Sequence, residues 1–318
     1  MPKIIILDGF VANPNDLSWE AIEAYGELIV YNRTSRLQII KRAISADILI
    51  VNKCRLDKRM LNQLPNLKCI CTLATGYNNI DIKAAKDLGI TVCNAVGYSA
   101  PSVAQHVFAL LLALTNQIEK HNKSVQRNEW ANAIDWSYWK SPLVELAGKT
   151  MGIYGYGKIG EQVANIALAF GMNVIAVRKS NTPPKNSLVK LVSLEELFQE
   201  SDILTLHAPL NTDSKEVINS DSLELMKETA YLINTGRGGL VNERDLKRAL
   251  VKGQIAGAGL DVLSQEPPPM NHQLLGTPNC LITPHHAWAT KESRSRLIDI
   301  VGDNIQAFLA GKPQNVVS

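Results

Sequence analysis

The 318-residue sequence predicts an α/β chain of two doubly wound parallel-sheet domains. Three observations carry that expectation. Apolar runs of strand length alternate with segments of helical periodicity, once before residue 100 and again after residue 150. The strand-like runs are continuously apolar, as in strands covered on both faces. A glycine-rich turn, Gly155-Tyr156-Gly157-Lys158-Ile159-Gly160, joins the first strand-like run of the second series to its first helix.

The first series places strands at 4–7, 28–31, 48–51, 69–74 and 90–93, with helices at 17–24, 37–44, 56–64 and 82–88 between them. Pro101 opens a longer helix at 103–118, since the first helical turn has no use for the N–H that proline lacks. That helix is apolar over most of its circumference, which suits burial between domains or subunits. The second series places strands at 151–154, 173–177, 203–206, 231–234, 257–261 and 280–282. Its helices fall at 159–170, 194–200, 222–226 and 243–251. Ser193 and Glu196 have the spacing of a capping box, and Gly253 stands where a helix would close. A last helix at 292–309 carries Leu297, Ile300, Val301, Ile305 and Phe308 at helical spacing and ends at Gly311. Pro267, Pro268 and Pro269 predict a stiff turn.

Composition narrows the function classes. Lys and Arg number 33 against 30 Asp and Glu, a formal charge of +3, and no basic run stands out. A nucleic-acid partner is therefore not expected. The longest apolar run, 107–114, is too short to span a bilayer, and the N-terminus lacks the apolar region of a signal peptide. The five cysteines have no metal-ligand spacing and read as structural thiols of a reducing cytoplasm. No metal is expected.

The glycine turn has a strand before it, a helix after it and a second strand arriving at Asn173. That is the context of a dinucleotide-binding turn. Gly155 permits the bend, Gly157 lets the pyrophosphate approach the backbone, and Gly160 lets the helix pack on the sheet. Tyr156, Lys158 and Ile159 complete the loop, and the helix N-terminus favours the anion. The second strand ends on Arg178-Lys179-Ser180-Asn181 rather than on the acid that would bind the ribose of NAD. Two cations favour a 2′-phosphate, so NADP(H) is expected as cofactor. The alternative is that both cations are merely exposed and NAD(H) is held through its ribose.

Three later segments complete a pattern: Ile233-Asn-Thr-Gly-Arg-Gly-Gly-Leu-Val241, Gly257-Ala-Gly-Leu-Asp-Val-Leu-Ser-Gln-Glu-Pro267 and Ile282-Thr-Pro-His-His-Ala-Trp288. With the glycine turn they resemble the D-isomer-specific 2-hydroxyacid dehydrogenase family over essentially the whole chain. Ala74-Thr-Gly-Tyr-Asn-Asn-Ile-Asp81, Ser102-Val-Ala-Gln105 and Ser141-Pro-Leu-Val-Glu-Leu-Ala-Gly148 resemble its glycerate dehydrogenase/hydroxypyruvate reductase branch. The resemblance implies a Rossmann cofactor domain, residues 100–286, inserted in a flavodoxin-like substrate domain of residues 1–99 and 287–318. It also implies a homodimer, and hydride transfer between NAD(P)H and a small 2-keto or D-2-hydroxy acid. Hydroxypyruvate or glyoxylate is the leading substrate. Phosphoglycerate- or D-lactate-type activity, or a cofactor-sensing corepressor of the same fold, are the alternatives. No regulatory domain is expected after residues 311–315.

The family's roles carry over by motif. Arg237 would hold the substrate carboxylate and polarise the keto oxygen. His285 would give that oxygen a proton, and Glu266 would hold the imidazole. Reduction leaves negative charge on oxygen, which calls for a proton donor and a fixed cation. Thr75, Gly76 and Tyr77 would offer backbone N–H groups to the carboxylate, and Trp288 would shape the pocket. Ala208, Thr235 and Gly236 would line the cofactor, and Asp261 would bond the nicotinamide amide. His286 reads as a satisfied core histidine. Trp136, Tyr138 and Trp139 read as packing of a dimer interface.

Overall fold

The computed structural model describes residues 1–180 and 182–318, so Asn181 lies outside the described residues. The chain folds as two compact units, Met1–Ser99 with Trp288–Ser318, and Ala100–Ala287.

In the first unit, β1 (Lys3–Ile6), α1 (Glu20–Glu23), β2 (Glu27–Val30), α2 (Ile39–Ala43), β3 (Ile48–Val51), α3 (Lys58–Leu61), β4 (Cys69–Thr72), α4 (Ile82–Asp87) and β5 (Thr91–Cys93) alternate as expected. The strands form one parallel sheet in the order β2-β1-β3-β4-β5. Successive side chains leave opposite faces. Ile5, Leu49, Ile70 and Val92 pack against Ala43, Leu61 and Ala84 on one side. Ile4, Ile6, Ile48, Ile50, Cys69 and Cys71 pack on the other, against Leu297, Val301 and Ile305 of the last helix. Burial on both faces is why these strands read as unbroken apolar runs.

Two helices are shorter than expected, for local reasons. The Asn13 side chain accepts from the N–H groups of Asn15, Asp16 and Leu17 and donates to Leu17 O, which holds 13–17 as a turn. α3 starts late because the Asp57 carboxylate caps Met60 N, while the Leu56 backbone bonds Asn79 and Asp81.

The second unit contains α5 (Ala100–Asn116), α6 (Ile118–Gln126), β6 (Thr150–Tyr154), α7 (Lys158–Ala169), β7 (Asn173–Val177), β8 (Val189–Leu191), α8 (Leu194–Glu200), β9 (Ile203–Leu206), α9 (Ser220–Leu225), β10 (Tyr231–Asn234), α10 (Glu243–Lys252), β11 (Gly257–Leu260) and β12 (Cys280–Ile282). Its parallel sheet runs β12-β11-β10-β9-β6-β7-β8. The order reverses between β6 and β9, and doubly wound sheets take ligands at such a point. Val107, Leu111, Val163 and Ala167 cover one face over Met151, Ile153 and Ile233. Leu197, Leu223, Leu246 and Leu250 cover the other over Leu204, Leu232 and Leu260. Much of the apolar circumference of α5 is thus spent on the second unit's own sheet and on α7, including a Phe108–Phe170 stack.

The sequence reading missed α6, β8 and half of a cap. Gln117 adopts a left-handed φ of 47° and separates α6 from α5. β8 is a three-residue edge strand with Lys190 at its centre. Ser193 accepts from Glu196 N, but the return bond of a capping box is absent among the described residues. Finally α11 (Lys291–Leu309) returns the chain to the first unit, where Arg294 makes a bidentate bond to Asp16 at 2.7 Å on each side. No helix among the described residues is long and apolar enough to cross a membrane.

Candidate active site

The glycine turn joins β6 to α7 at the point where the strand order reverses. Gly155 has φ +99°, and a Cβ there would lie 2.4 Å from Ala208 N, so the segment after β9 presses directly on the turn. A Cβ on Gly160 would lie 2.7 Å from Gly155 O, so α7 sits close on its strand. A Cβ on Gly157 would meet nothing within 4 Å, and this residue caps α7 without a side-chain bond. The space beside Gly157 is open at the positive end of α7, where first-turn N–H groups have no partner within the helix. Tyr156 differs from expectation in detail. Its N–H is spent on Val177 O, its ring is buried, and Arg178 lies 5.9 Å above the ring.

The strand ends beside this turn carry the other candidate cofactor contacts. Arg178 follows β7 and donates to Thr182 O at 3.1 Å. Lys179 is 91% exposed and, among the described residues, reaches only Asp213, at 3.5 Å. After β10, Thr235 Oγ1 is buried without a partner among the described residues, and Gly236 lies against Leu206 O. After β9, His207 bonds Thr205 through Nε2 while its buried Nδ1 has no partner among the described residues. Unpartnered buried polar atoms and an open anion cradle fit a dinucleotide in this unit.

Burial holds His207 down to a pKa of about 3, against an ordinary value of 6.5. Above pH 6.5 the ring is neutral folded and unfolded, and adds no pH dependence. As pH falls from there, the unfolded chain takes up a proton that the folded chain refuses, so stability is lost. His207→Asn is expected to flatten this acid limb by up to about 1.4 kcal/mol per pH unit. Urea unfolding of both proteins between about pH 6.5 and 4 measures it, and parallel curves would refute it.

Arg237, Glu266 and His285 all lie in the second unit. Arg237 follows β10 in a turn built by Asn234, whose buried side chain accepts from Gly236 N and donates to Arg237 O. The guanidinium donates once, from Nη1 to Gly236 O, and meets no carboxylate among the described residues. A Cβ on Gly238 would lie 1.9 Å from the carbonyl carbon of Leu263, so the arginine turn packs on the loop that leads to Glu266. The His285 Nδ1–Glu266 Oε2 distance is 2.6 Å, and Leu263 N donates to the other carboxylate oxygen at 3.0 Å. With Glu266 ionised, Nδ1 carries the hydrogen, which leaves Nε2 as the atom that gives or takes a proton.

Asp261 is buried and organises the histidine segment. Its carboxylate accepts from Thr283 Oγ1 at 2.6 Å, His286 N at 3.0 Å and Ala287 N at 2.9 Å, while its carbonyl accepts from His285 N. Because Thr283 donates to Asp261, His106 must donate from Nε2 to Thr283 at 2.9 Å. Burial holds the His106 pKa below the usual histidine range, against the pull of Asp261. His106, Asp261 and His286 bring ligand-capable atoms within 4.8 Å of one another. The bonds already filling Asp261 make this a hydrogen-bond network. His286 corrects the sequence reading. It is exposed, edge-on to His106 at 4.9 Å, and follows the left-handed residue His285 (φ 53°).

The sequence reading also missed a clamp under the Glu266 loop. Buried Glu243 accepts from Ser264 N and Oγ, each at 2.7 Å, and pairs with His272 at 3.1 Å. In the first unit, Thr75, Gly76 and Tyr77 follow β4. Thr75 donates its hydroxyl to Ala95 O, and Asn94 donates to Thr75 O. No acceptor among the described residues takes the N–H groups of these three residues. Trp288 belongs to this unit and meets the Tyr98 ring edge-on at 6.2 Å.

Comparison with known proteins follows the same lines. Residues 108–287 match the family model for the D-isomer specific 2-hydroxyacid dehydrogenase, NAD binding domain. The hydroxypyruvate reductase of Blautia hydrogenotrophica is 43% identical over 320 residues, covering 99% of each chain.

The chain belongs to the D-isomer-specific 2-hydroxyacid dehydrogenase family.

As a member of that family it is an oxidoreductase of small hydroxy or keto acids that uses a nicotinamide cofactor. The glycerate dehydrogenase of Methylorubrum extorquens is 44% identical over 282 residues, 88% of each chain. Among solved dehydrogenase-fold structures, an acyclic imino acid reductase in complex with NADPH and D-Arg superposes with a TM-score of 0.88. It is 36% identical, over 99% of this chain and 100% of that one.

Proposed function

We propose that this dehydrogenase reduces hydroxypyruvate or glyoxylate to the D-2-hydroxy acid, preferring NADPH. The observation that carries the reading is the 2.6 Å His285–Glu266 pair in the same unit as the dinucleotide cradle. Arg237 would hold the substrate carboxylate through parallel N–H donors, with the N–H groups of Thr75, Gly76 and Tyr77 as further donors. Bound nicotinamide supplies the hydride. His285 gives its Nε2 proton to the keto oxygen as charge gathers there, and ionised Glu266 steadies the ring through Nδ1. In the oxidation direction His285 takes the proton back. Hydroxypyruvate and glycerate are the substrates named for the two relatives at 43% and 44% identity, which supports this choice.

NADPH preference rests on Arg178, which directly follows β7 where no acid stands. The NADPH-bound relative at 36% identity supports it. Arg178→Asp should remove one charge-assisted bond and add repulsion, shifting the NADPH/NADH ratio of kcat/KM by about tenfold or more. A wild-type ratio of one or less would refute the preference. Thr235, Gly236 and Ala208 would line the rest of the cofactor, and Asp261 would act mainly through the segment it holds.

The reading includes a homodimer. Ile134, Trp136 and Trp139 are 102%, 88% and 69% exposed, large apolar side chains close together in sequence of the kind a partner subunit covers. Five free thiols fit a reducing cytoplasm. The test is a steady-state panel of hydroxypyruvate, glyoxylate, pyruvate and phosphohydroxypyruvate against NADPH and NADH. Highest kcat/KM on either of the first two supports the assignment. A preference for pyruvate or the phosphorylated acid would replace it.

A further inference from the structure

We propose a second ligand site, for a small organic anion, in the first unit. A cavity of about 590 Å³ opens there, with Trp19, Val30 and Tyr31 as its apolar walls and Arg33 and Arg42 as its cations. Asn15 and Asn32 add amide groups to the lining. Tyr31, Asn32 and Arg33 follow directly on β2, so the cavity lies at the carboxyl end of a parallel strand, where open α/β sheets take ligands.

Charge is what singles this cavity out. It has no Asp or Glu in its lining. Among the described residues neither arginine belongs to an ion pair. Both guanidiniums are nonetheless held in place. Arg33 lies 3.8 Å over the Phe10 ring and Arg42 lies 4.2 Å over the Tyr31 ring. Arg42 Nη1 also donates to Arg33 O and Thr34 Oγ1, each at 2.7 Å. Two positioned forks without a counter-charge favour a carboxylate or phosphate group, and little side-chain freedom remains to be lost on binding. The apolar walls favour a ligand whose anionic group is carried on an apolar or aromatic body.

The site is separate from the candidate substrate loop in the same unit. Thr75, Gly76 and Tyr77 follow β4, and β1 and β3 stand between β2 and β4. The dinucleotide cradle belongs to the other unit.

Calorimetric titration of the full-length protein with benzoate and with phenyl phosphate tests the proposal, with benzyl alcohol as the neutral control. Three proteins are compared: wild type, Arg33→Gln and Arg237→Gln. Arg33→Gln is the informative variant, because among the described residues its guanidinium makes no hydrogen bond within the protein. Arg42→Gln would also release the Arg33 and Thr34 contacts. At least one anion should bind the wild type and Arg237→Gln alike, and bind Arg33→Gln weaker by about tenfold or more. The tighter of the two anions then names the head group. Arg33→Gln should keep wild-type circular dichroism and keto-acid reduction. The proposal is overturned if neither anion binds, if Arg33→Gln binds as well as wild type, if binding is lost only in Arg237→Gln, or if benzyl alcohol binds as tightly as benzoate.

Discussion

Replacing His285 with alanine should lower turnover by roughly 10²–10⁴-fold, the usual contribution of a positioned acid–base group. The 2.6 Å bond to Glu266 fixes the ring, and the Glu266 carboxylate is itself fixed by Leu263 N. Without the imidazole, the oxygen of the reduced substrate must draw its proton from solvent. NADPH binding should persist, because the glycine turn, Thr235 and Arg178 are untouched. The readouts are kcat with a saturating keto acid and the dissociation constant of NADPH measured by fluorescence. Loss of NADPH binding together with turnover would mean that the substitution damaged the unit. Undiminished turnover would remove His285 from the chemistry and leave exposed His286 as the next candidate.

Arg237→Lys should lower kcat/KM by about 10²-fold or more while leaving NADPH affinity nearly unchanged. A lysine keeps the charge but replaces a planar fork with a single ammonium, so the parallel pair of bonds to a carboxylate is lost. Each charge-assisted bond is worth about 1.5–3 kcal/mol. The turn should survive, since Asn234 builds it through backbone groups of Gly236 and Arg237. Kinetics with a 2-keto acid and with the matching aldehyde, which lacks the carboxylate, separate the causes. A large loss on the acid and a small loss on the aldehyde places Arg237 on the carboxylate. Equal losses on both would contradict that role.

What the sequence made legible was whatever depends on local pattern. Every strand but the short edge strand β8 stood out, because residues such as Ile4, Ile5 and Ile6 are buried whichever face they point to. The glycine turn stood out because its glycines recur at a fixed spacing, two of them, Gly155 and Gly160, where a Cβ would collide with backbone, and Gly157 where the space is open. Glu266 and His285 were legible only through motif resemblance, since nothing in the spacing of 266 and 285 predicts a hydrogen bond.

The misses share a different physical origin. Gln117 breaks a helix through a left-handed φ that glutamine does not advertise. His106, Thr283 and Asp261 form one network through side chains up to 177 residues apart. Glu243 and His272 hide the same way, because a buried pair reads as two surface residues until the fold joins them. Asn234 could have been found, since an asparagine two residues before a glycine is a local turn signal. His286 was misread as a core histidine, whereas it is exposed and follows a left-handed residue, His285, that no local pattern announces.

The central claim is direct hydride transfer to a 2-keto acid with protonation by His285. A single-turnover reaction with NADPH deuterated at the transferring position tests it most directly, with hydroxypyruvate as substrate and mass spectrometry and chiral separation of the product. The expected result is D-glycerate carrying the label on carbon 2, formed more slowly than with unlabelled NADPH, and formed slower still by His285→Ala. Unlabelled product, the L isomer, or equal rates for wild type and His285→Ala would contradict the account.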